Sequence, residues 1–213
     1  MSIETDEFAE IWRAPMYPIE APPQRFEQFR NVVPELLLTF WREFGFSGFG
    51  DGIYWICDPV AWQPAVDAWT QDLAPPIGYD RWLAVSRTAF GRMQLWGRRT
   101  GMSLTITPYR GWILATDQSD RMSSSDGHDD QIYAALLAQD RASSDVVGDD
   151  GQRLFDRVLA SQGPVGCDTV YGFVPALSLG GPLHADHVEI VNAVVHLELL
   201  SDFTPRRIMR DIA

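Results

Sequence analysis

Residues 82–116, WLAVSRTAFGRMQLWGRRTGMSLTITPYRGWILAT, decide the fold class of this 213-residue chain. β-Branched and aromatic residues dominate the stretch, and glycines interrupt it at positions 91, 97, 101 and 111. Short segments of this kind, separated by glycine-containing turns, are typical of antiparallel strands joined by hairpins, because a crossover helix needs a much longer connection. The pattern predicts strands over residues 82–88, 92–98, 102–107 and 112–116.

The segment before these strands is predicted to be helical. Its apolar residues recur at spacings of three and four, which places them on one face of a helix; they are Phe26, Phe29, Val33, Leu36, Leu37, Phe40, Trp41 and Phe44. Pro34 interrupts the pattern, and proline is best tolerated in the first turn of a helix. We therefore expect a second helix over residues 34–44 that ends at Gly45.

A further helix is predicted to begin at Asp58 and Pro59. A carboxylate can cap the free amides of a first turn, and proline fits well at the first helical position. We expect Pro64 to bend or delay this helix. Its buried face would consist of Trp62, Val66, Trp69 and Leu73.

Beyond the strands, the pattern favours helices separated by loops. The Ser-rich piece MSSSDGHDD (122–130) is typical of a linker, and we place a domain boundary there, between domains 1–122 and 123–213. A helix that follows is expected to bury Ile132, Tyr133, Leu136 and Leu137. Another helix, capped by Asp149 or Asp150, is expected over residues 151–162 and ends at Gly163.

The last part of the chain is predicted to be a glycine- and proline-rich loop, 165–183, and a final helix, 187–202. Asp186 and Glu189 have the spacing of a capping box at the start of that helix. Its core face would be formed by Val188, Val191, Val194, Val195 and Leu199. These predictions give an α+β fold, in which an antiparallel sheet is flanked by N-terminal helices and packed against a smaller, mostly helical C-terminal part.

The charge of the chain restricts its partners. Seventeen basic residues, all of them arginine, stand against twenty-nine acidic ones, for a net charge of −12. This balance argues against direct binding of nucleic acid and favours a basic partner. The acidic N-terminus lacks the pattern of a signal peptide, no apolar run is long enough to span a membrane, and two cysteines do not suggest a disulfide framework. A cytoplasmic protein is expected.

Residues 117–150 hold more than half of this acidic excess, with nine aspartates, two arginines and a net charge of −7. The aspartates are Asp117, Asp120, Asp126, Asp129, Asp130, Asp140, Asp145, Asp149 and Asp150. The block can be a solvated surface, as most charged runs are, or a recognition surface for a basic partner. The ligand spacing of an EF-hand calcium loop is absent from it.

Candidates for chemistry are few. His184 and His187 could hold a metal ion with Asp186 or Glu189, but no third ligand is fixed by spacing, and polar residues at the start of a helix are the simpler interpretation. We expect no cofactor and no metal.

Two further features are interpreted as structural. Cys167 lacks the sequence context of a nucleophile and is expected to be a small buried residue. Gly180 and Gly181 lack the lysine and hydroxyl residue that follow in a phosphate-binding loop, so they are expected in a turn that needs a positive φ.

Three segments, taken in order, resemble one bacterial family. They are FWREFGFSGFGDGIYWICDP (40–59), RTAFGRMQLWG (87–97) and YGFVPALSLGG (171–181), followed by a helix that carries His196. That family joins a GAD-like N-terminal domain to a smaller C-terminal domain typical of type VI secretion immunity proteins. The resemblance spans nearly the whole chain. The residues that carry it are of turn and core types: Gly52, Trp55, Pro59, Phe90, Gly91, Gly172, Pro175, Gly180 and Gly181.

The resemblance implies a non-enzymatic cytoplasmic protein that binds a cognate toxin, usually a DNase, and occludes its active site. A monomer that forms a 1:1 complex is expected, and the nine aspartates are the candidate toxin-binding residues. Two alternatives remain open. One is an intracellular metal-dependent hydrolase that uses His184 and His187, and the other is a regulatory scaffold that shares only the fold.

Overall fold

The computed structural model describes residues 3–210 and contains two sheets. The strands among these residues are β1 (Gly48–Phe49), β2 (Tyr54–Ile56), β3 (Trp82–Thr88), β4 (Met93–Gly97), β5 (Gly101–Thr107), β6 (Trp112–Ala115), β7 (Thr169–Phe173), β8 (Val188–Asn192) and β9 (Arg207–Arg210). The larger sheet has the order β1-β2-β3-β4-β5-β6-β9 and is antiparallel except for the parallel pair β6–β9. The smaller sheet is the antiparallel pair β7–β8. The four predicted strands are therefore confirmed as β3 to β6.

The helices are α1 (Ile3–Trp12), α2 (Pro23–Phe29), α3 (Glu35–Phe44), α4 (Pro59–Thr70), α5 (Ser125–Leu137), α6 (Arg141–Ser144), α7 (Phe155–Gln162) and α8 (Ala193–Phe203). Helix α3 follows Pro34 and ends at Gly45, whose φ is 62°, as predicted. The side chain of Asp58 caps α4 by accepting a hydrogen bond from the Val60 amide at 3.0 Å. Helix α4 continues through Pro64 without delay. None of the helices in this range is long and apolar enough to cross a membrane.

Strand β3 separates two hydrophobic cores and is buried along its whole length. Because successive side chains of a strand point to opposite faces, Leu83 and Val85 belong to one core and Trp82 and Ala84 to the other. The first core is closed by α1, α3 and α5, and the second by α4 and α8. The α+β fold class is confirmed, with helices on both faces of the larger sheet.

Aromatic side chains fill both cores. Trp41 of α3 packs edge-on against Phe29 and Phe46, with ring centres 5.7 and 5.4 Å apart. In the other core, the indole nitrogen of Trp69 donates a hydrogen bond to the Leu197 carbonyl at 2.9 Å and so joins α4 to α8. Both tryptophans are at most 1% exposed, which confirms the predicted buried helix faces.

The prediction of one helix over residues 187–202 is wrong. Residues 188–192 form strand β8, in which Val188 lies opposite Phe173 of β7. This run is rich in β-branched residues, which suit a strand, and it pairs with a segment that we had expected to be a loop. The capping box of Asp186 and Glu189 consequently does not form.

Helix α8 begins after β8, where the Asn192 side chain accepts a hydrogen bond from the Val195 amide at 3.1 Å. The shift in helix start changes which residues face the core. Ala193, Leu197 and Leu200 are buried, whereas Val195 and Leu199, which we had expected in the core, are 55% and 52% exposed.

Helix α7 starts later than predicted, at Phe155, and neither Asp149 nor Asp150 caps it. The carboxylate of Asp145 takes that place by accepting a hydrogen bond from the Phe155 amide at 2.9 Å. The predicted end at Gly163 is confirmed, with a φ of 82°.

The Ser-rich piece that we interpreted as a linker is the start of α5. Ser124 caps the helix by accepting a hydrogen bond from the Gly127 amide at 3.1 Å. Helix α5 packs against α1 and α3, and Asp129 accepts a hydrogen bond from the Leu36 amide at 2.9 Å. This bond caps α3 from outside, because Pro34 has no side-chain acceptor. The domain boundary at 122/123 stays a prediction.

Replacing either buried tryptophan should destabilise the protein strongly. Trp41→Ala and Trp69→Ala each remove a fully buried ring, and we expect each to lower the free energy of unfolding by about 3–5 kcal/mol. Chemical denaturation followed by circular dichroism measures the loss. Trp112→Ala is the matched control, since that ring is 37% exposed and its removal should cost much less. A wild-type unfolding midpoint for either core variant would contradict the assignment.

Two neighbouring aspartates should differ in their effect on stability. Asp129→Ala removes the cap of α3 and should lower the free energy of unfolding by about 1 kcal/mol. Asp130→Ala removes an exposed carboxylate and should change it by less than about 0.5 kcal/mol. The same denaturation experiment compares them, and equal effects would show that the Asp129–Leu36 bond does not stabilise the fold.

Candidate functional site

Five of the nine candidate aspartates hold the fold together: Asp129, Asp140, Asp145, Asp149 and Asp150. Asp129 caps α3, and Asp145 binds the first amide of α7. Asp140 caps α6 in a reciprocal arrangement with Ser143, whose amide lowers the pKa of the Asp140 carboxyl. Burial instead raises the pKa of Asp145.

Asp149 and Asp150 connect the turn before α7 to the rest of the C-terminal part. The carboxylate of Asp149 accepts a hydrogen bond from the Leu183 amide at 2.9 Å. Asp150 accepts one from the Gln152 amide and forms an ion pair with Arg157 at 2.6 Å, and both contacts lower its pKa. These two carboxylates are exposed, but both form contacts within the chain.

The four other aspartates, Asp117, Asp120, Asp126 and Asp130, are exposed. Asp117 accepts a hydrogen bond from the Ser119 amide, which lowers its pKa. Asp126 and Asp130 lie one turn apart on the solvent side of α5 and form no ion pair with any residue in the range 3–210. The sequence did not distinguish these residues from the five that act within the fold.

Helix α1 lies beside α5 and extends this acidic surface. The Tyr133 hydroxyl of α5 donates a hydrogen bond to the Glu7 carboxylate of α1 at 2.5 Å. This bond raises the pKa of the Tyr133 phenol above its ordinary value. The bond also fixes an aromatic ring that is 37% exposed at the junction of the two helices.

The periodicity of α1 places its acidic and apolar residues on the same outer side. Thr5, Phe8 and Trp12 are buried, so the opposite side, spaced at three and four residues, faces solvent. We call the combined surface the α1–α5 face; it consists of Ile3, Asp6, Glu7, Glu10 and Ile11 of α1 with Asp126, Asp130 and Tyr133 of α5. The sequence analysis did not identify the α1 half of this face, although the acidic residues of α1 and the spacing of Phe8 and Trp12 indicate an amphipathic helix there.

The histidine pair does not form a metal centre with the residues around it. His184 lies 3.8 Å from Asp150 and 3.4 Å from Asp186, but the guanidinium of Arg157 lies 3.4 Å from its ring and would repel a cation. His187 is exposed. Within residues 3–210, no three side chains of the types that bind metals converge.

Of the remaining predictions about individual residues, some are wrong and some are confirmed. Cys167 is exposed, so its assignment as a buried residue is wrong; it lies in the turn before β7. Gly180 has a φ of 86°, as predicted. Gly181 is required for a different reason, because a Cβ atom there would lie 1.8 Å from the Pro175 carbonyl oxygen.

Comparison with known proteins gives two family matches and a structural one. A model of the GAD-like domain matches residues 4–110, and a model of the C-terminal domain of the type VI secretion (T6SS) immunity protein Tdi1 matches residues 131–204. The crystal structure of Atu4351 from Agrobacterium tumefaciens is similar over 98% of this chain and 93% of that one, with a TM-score of 0.87 and 19% sequence identity. At this identity the likeness shows the fold alone. No curated protein matches the chain.

The resemblance noted in the sequence is thereby confirmed. The GAD-like model covers half of the chain, and the immunity-protein model covers most of the remainder. The chain belongs to the family of T6SS immunity proteins that join a GAD-like domain to a Tdi1-type C-terminal domain.

Proposed function

We propose that this protein neutralises a nuclease toxin, most specifically a DNase, by binding it and covering its active site, without turnover or cofactor. The observation that carries the proposal is the α1–α5 face, an exposed surface that carries acidic side chains together with apolar and aromatic ones. The protein would act in the cytoplasm as a monomer that binds one toxin molecule.

The charge of this face fits the chemistry of the target. A nuclease must hold a polyanion, so the groove around its active site is basic. Asp6, Glu10, Asp126 and Asp130 present carboxylates to such a groove, and the net charge of −12 attracts it from a distance. An acidic protein in the groove would exclude the nucleic acid by occupying the same cationic side chains.

The apolar residues of the face would contribute binding free energy that its charges alone do not provide. Protein interfaces commonly have an aromatic and apolar centre within a polar rim, and the centre contributes most of the binding free energy. Tyr133 is held by Glu7 between the two helices, and Ile3 and Ile11 of α1 are 75% and 42% exposed. This arrangement favours a tight protein complex over a merely solvated acidic surface.

The first test of the function is protection of cells. A nuclease encoded beside this protein should be toxic when expressed in the cytoplasm, and co-expression of this protein should restore growth. A related immunity protein with a different partner is the control and should not protect. Equal toxicity with and without this protein, at matched toxin levels, would exclude the proposal, and capture of an unrelated host protein instead would favour the regulatory scaffold.

The second test locates the interface. Asp126→Asn and Asp130→Asn together should slow association with the toxin severalfold at low ionic strength, because exposed charges act mainly through long-range attraction. The difference should nearly vanish near about 0.5 M salt, where the screening length is a few ångströms. Stopped-flow association rates across a salt series measure both effects. Asp129 is left unchanged because its carboxylate caps α3.

A control with the same loss of charge separates location from net charge. Asp186→Asn and Asp202→Asn remove two exposed carboxylates from the C-terminal part. We expect association with the toxin to slow less in this control than in the variant of α5. Identical slowing in both variants would show that total charge alone matters and that the interface does not lie on the α1–α5 face.

A further inference from the structure

A cavity of about 300 Å³ lies on the other side of the sheet from the α1–α5 face. Its walls come from Ile19, Glu20, Pro22 and Phe46 of the N-terminal part, from β2, β3 and α4, and from the turn before β7 and the first residues of α8. The innermost lining consists of Trp55, Trp62 and Arg87, each at most 4% exposed. The mouth is formed by exposed residues, among them Glu20, Ala61, Cys167 and Asp168.

Arg87 is a buried cation that forms no ion pair with a carboxylate among residues 3–210, although the charge of Asp168 raises its pKa from a distance. Its guanidinium carbon lies 4.8 Å from the ring centre of Trp55 and 5.0 Å from that of Trp62, so the group is held between two indoles. Two of its nitrogens donate to the backbone carbonyls of Thr88 and Gly166. The third, Nε, is buried and has no hydrogen-bond partner within the described residues.

Cys57 and Asp58, two neighbours of Arg87, do not neutralise this charge. Burial lowers the pKa of Arg87 to about 10, so the side chain remains a cation at neutral pH. Burial raises the pKa of the Cys57 thiol to about 12, so this neighbour stays uncharged. Asp58 is engaged elsewhere, since its two carboxylate oxygens accept hydrogen bonds from Arg25 at 2.8 and 3.0 Å.

Three features of the cavity favour an anionic group at its inner end. A buried charge without an ion-pair partner is costly, and an anion placed beside it would offset that cost. Helix α8 begins at the cavity wall and adds the partial positive charge of its N-terminus. The rest of the lining is largely apolar, with Ile19, Ala61 and Val194 among its residues, and can hold the apolar body of such a molecule.

We propose that this cavity binds a small organic molecule with one carboxylate and an apolar body, the carboxylate facing Arg87 and the body lying against the apolar part of the lining, which includes Ile19, Ala61 and Val194. A single negative charge is specified because Glu20 and Asp168 stand at the mouth and would repel a multiply charged anion. The volume lies at the lower end of the range of about 300–1,000 Å³ that ligand pockets cover, which suits a molecule of one ring. The site is independent of toxin binding.

Calorimetric titration of the purified full chain with three probes tests the proposal. Benzoate should bind, and benzamide, which has the same ring without the charge, should bind at least about tenfold more weakly, as expected for loss of an ionic hydrogen bond. Inorganic phosphate, which has charge but no ring, should also bind more weakly than benzoate. No binding of benzoate at millimolar concentration, or equal binding of benzoate and benzamide, would overturn the proposal and leave Arg87 a purely structural residue.

Variants at the mouth of the cavity test whether benzoate binds there, and they leave the buried Arg87 unchanged. Ala61→Phe should block entry and abolish benzoate binding, while Asp168→Asn should strengthen it roughly threefold by removing a nearby negative charge. Asp186→Asn, which changes a distant exposed carboxylate, is the matched control and should leave the affinity unchanged. Circular dichroism confirms that each variant is folded. Unaltered binding to Ala61→Phe, or the same affinity in the Asp168 and Asp186 variants, would show that benzoate binds elsewhere and would refute the proposal.

Discussion

Burial of β3 on both of its faces is the constraint on which the rest of the structure depends. Leu83 and Val85 are buried on one face of the strand, and Trp82 and Ala84 are buried on the other. A single layer of helices could therefore not bury both faces. Helices α1, α3 and α5 supply the first cover, and α4 and α8 supply the second. The two candidate sites are related to this division, since the acidic face lies on the first layer, whereas α4 and α8 of the second layer form part of the wall of the cavity around Arg87.

The elements that could be predicted from the sequence are those whose cause is local. The hairpins of β3 to β6 follow from glycines between β-branched runs, and the limits of α3 and α4 follow from Pro34, Gly45 and Asp58, each of which acts within one turn of the backbone. Strand β8 was mistaken for helix because its partner, β7, lies beyond a loop and gives no local signal. Strand β9 pairs in parallel with β6, a contact between distant parts of the chain that composition cannot show.

The candidate site shows the same limit at the level of single residues. The acidic block was evident from composition, but its division into structural and exposed carboxylates depends on contacts that cross the fold. Asp129 looks no different in sequence from Asp130, yet it caps a helix that begins near Pro34. The α1 half of the acidic face joins α5 through Tyr133 and Glu7, which are 126 positions apart. Arg87 could not be singled out either, because an arginine within a strand gives no sign that its guanidinium is buried without a counter-ion.

The exposed acids of α5 act on the isolated helix in two opposite ways. Like charges one turn apart, as at Asp126 and Asp130, destabilise a helix by roughly 0.2–0.5 kcal/mol, but Asp126 lies in the first turn of α5, where the positive end of the helix stabilises a carboxylate by roughly 0.3–1 kcal/mol. Elsewhere the fold pairs some of its acids with arginines, as in Asp58 with Arg25 and Asp150 with Arg157. In the proposed complex, the carboxylates near Tyr133 that form no ion pair among the described residues would meet cations brought by the partner. The charges that would attract a basic groove therefore cost the isolated helix little.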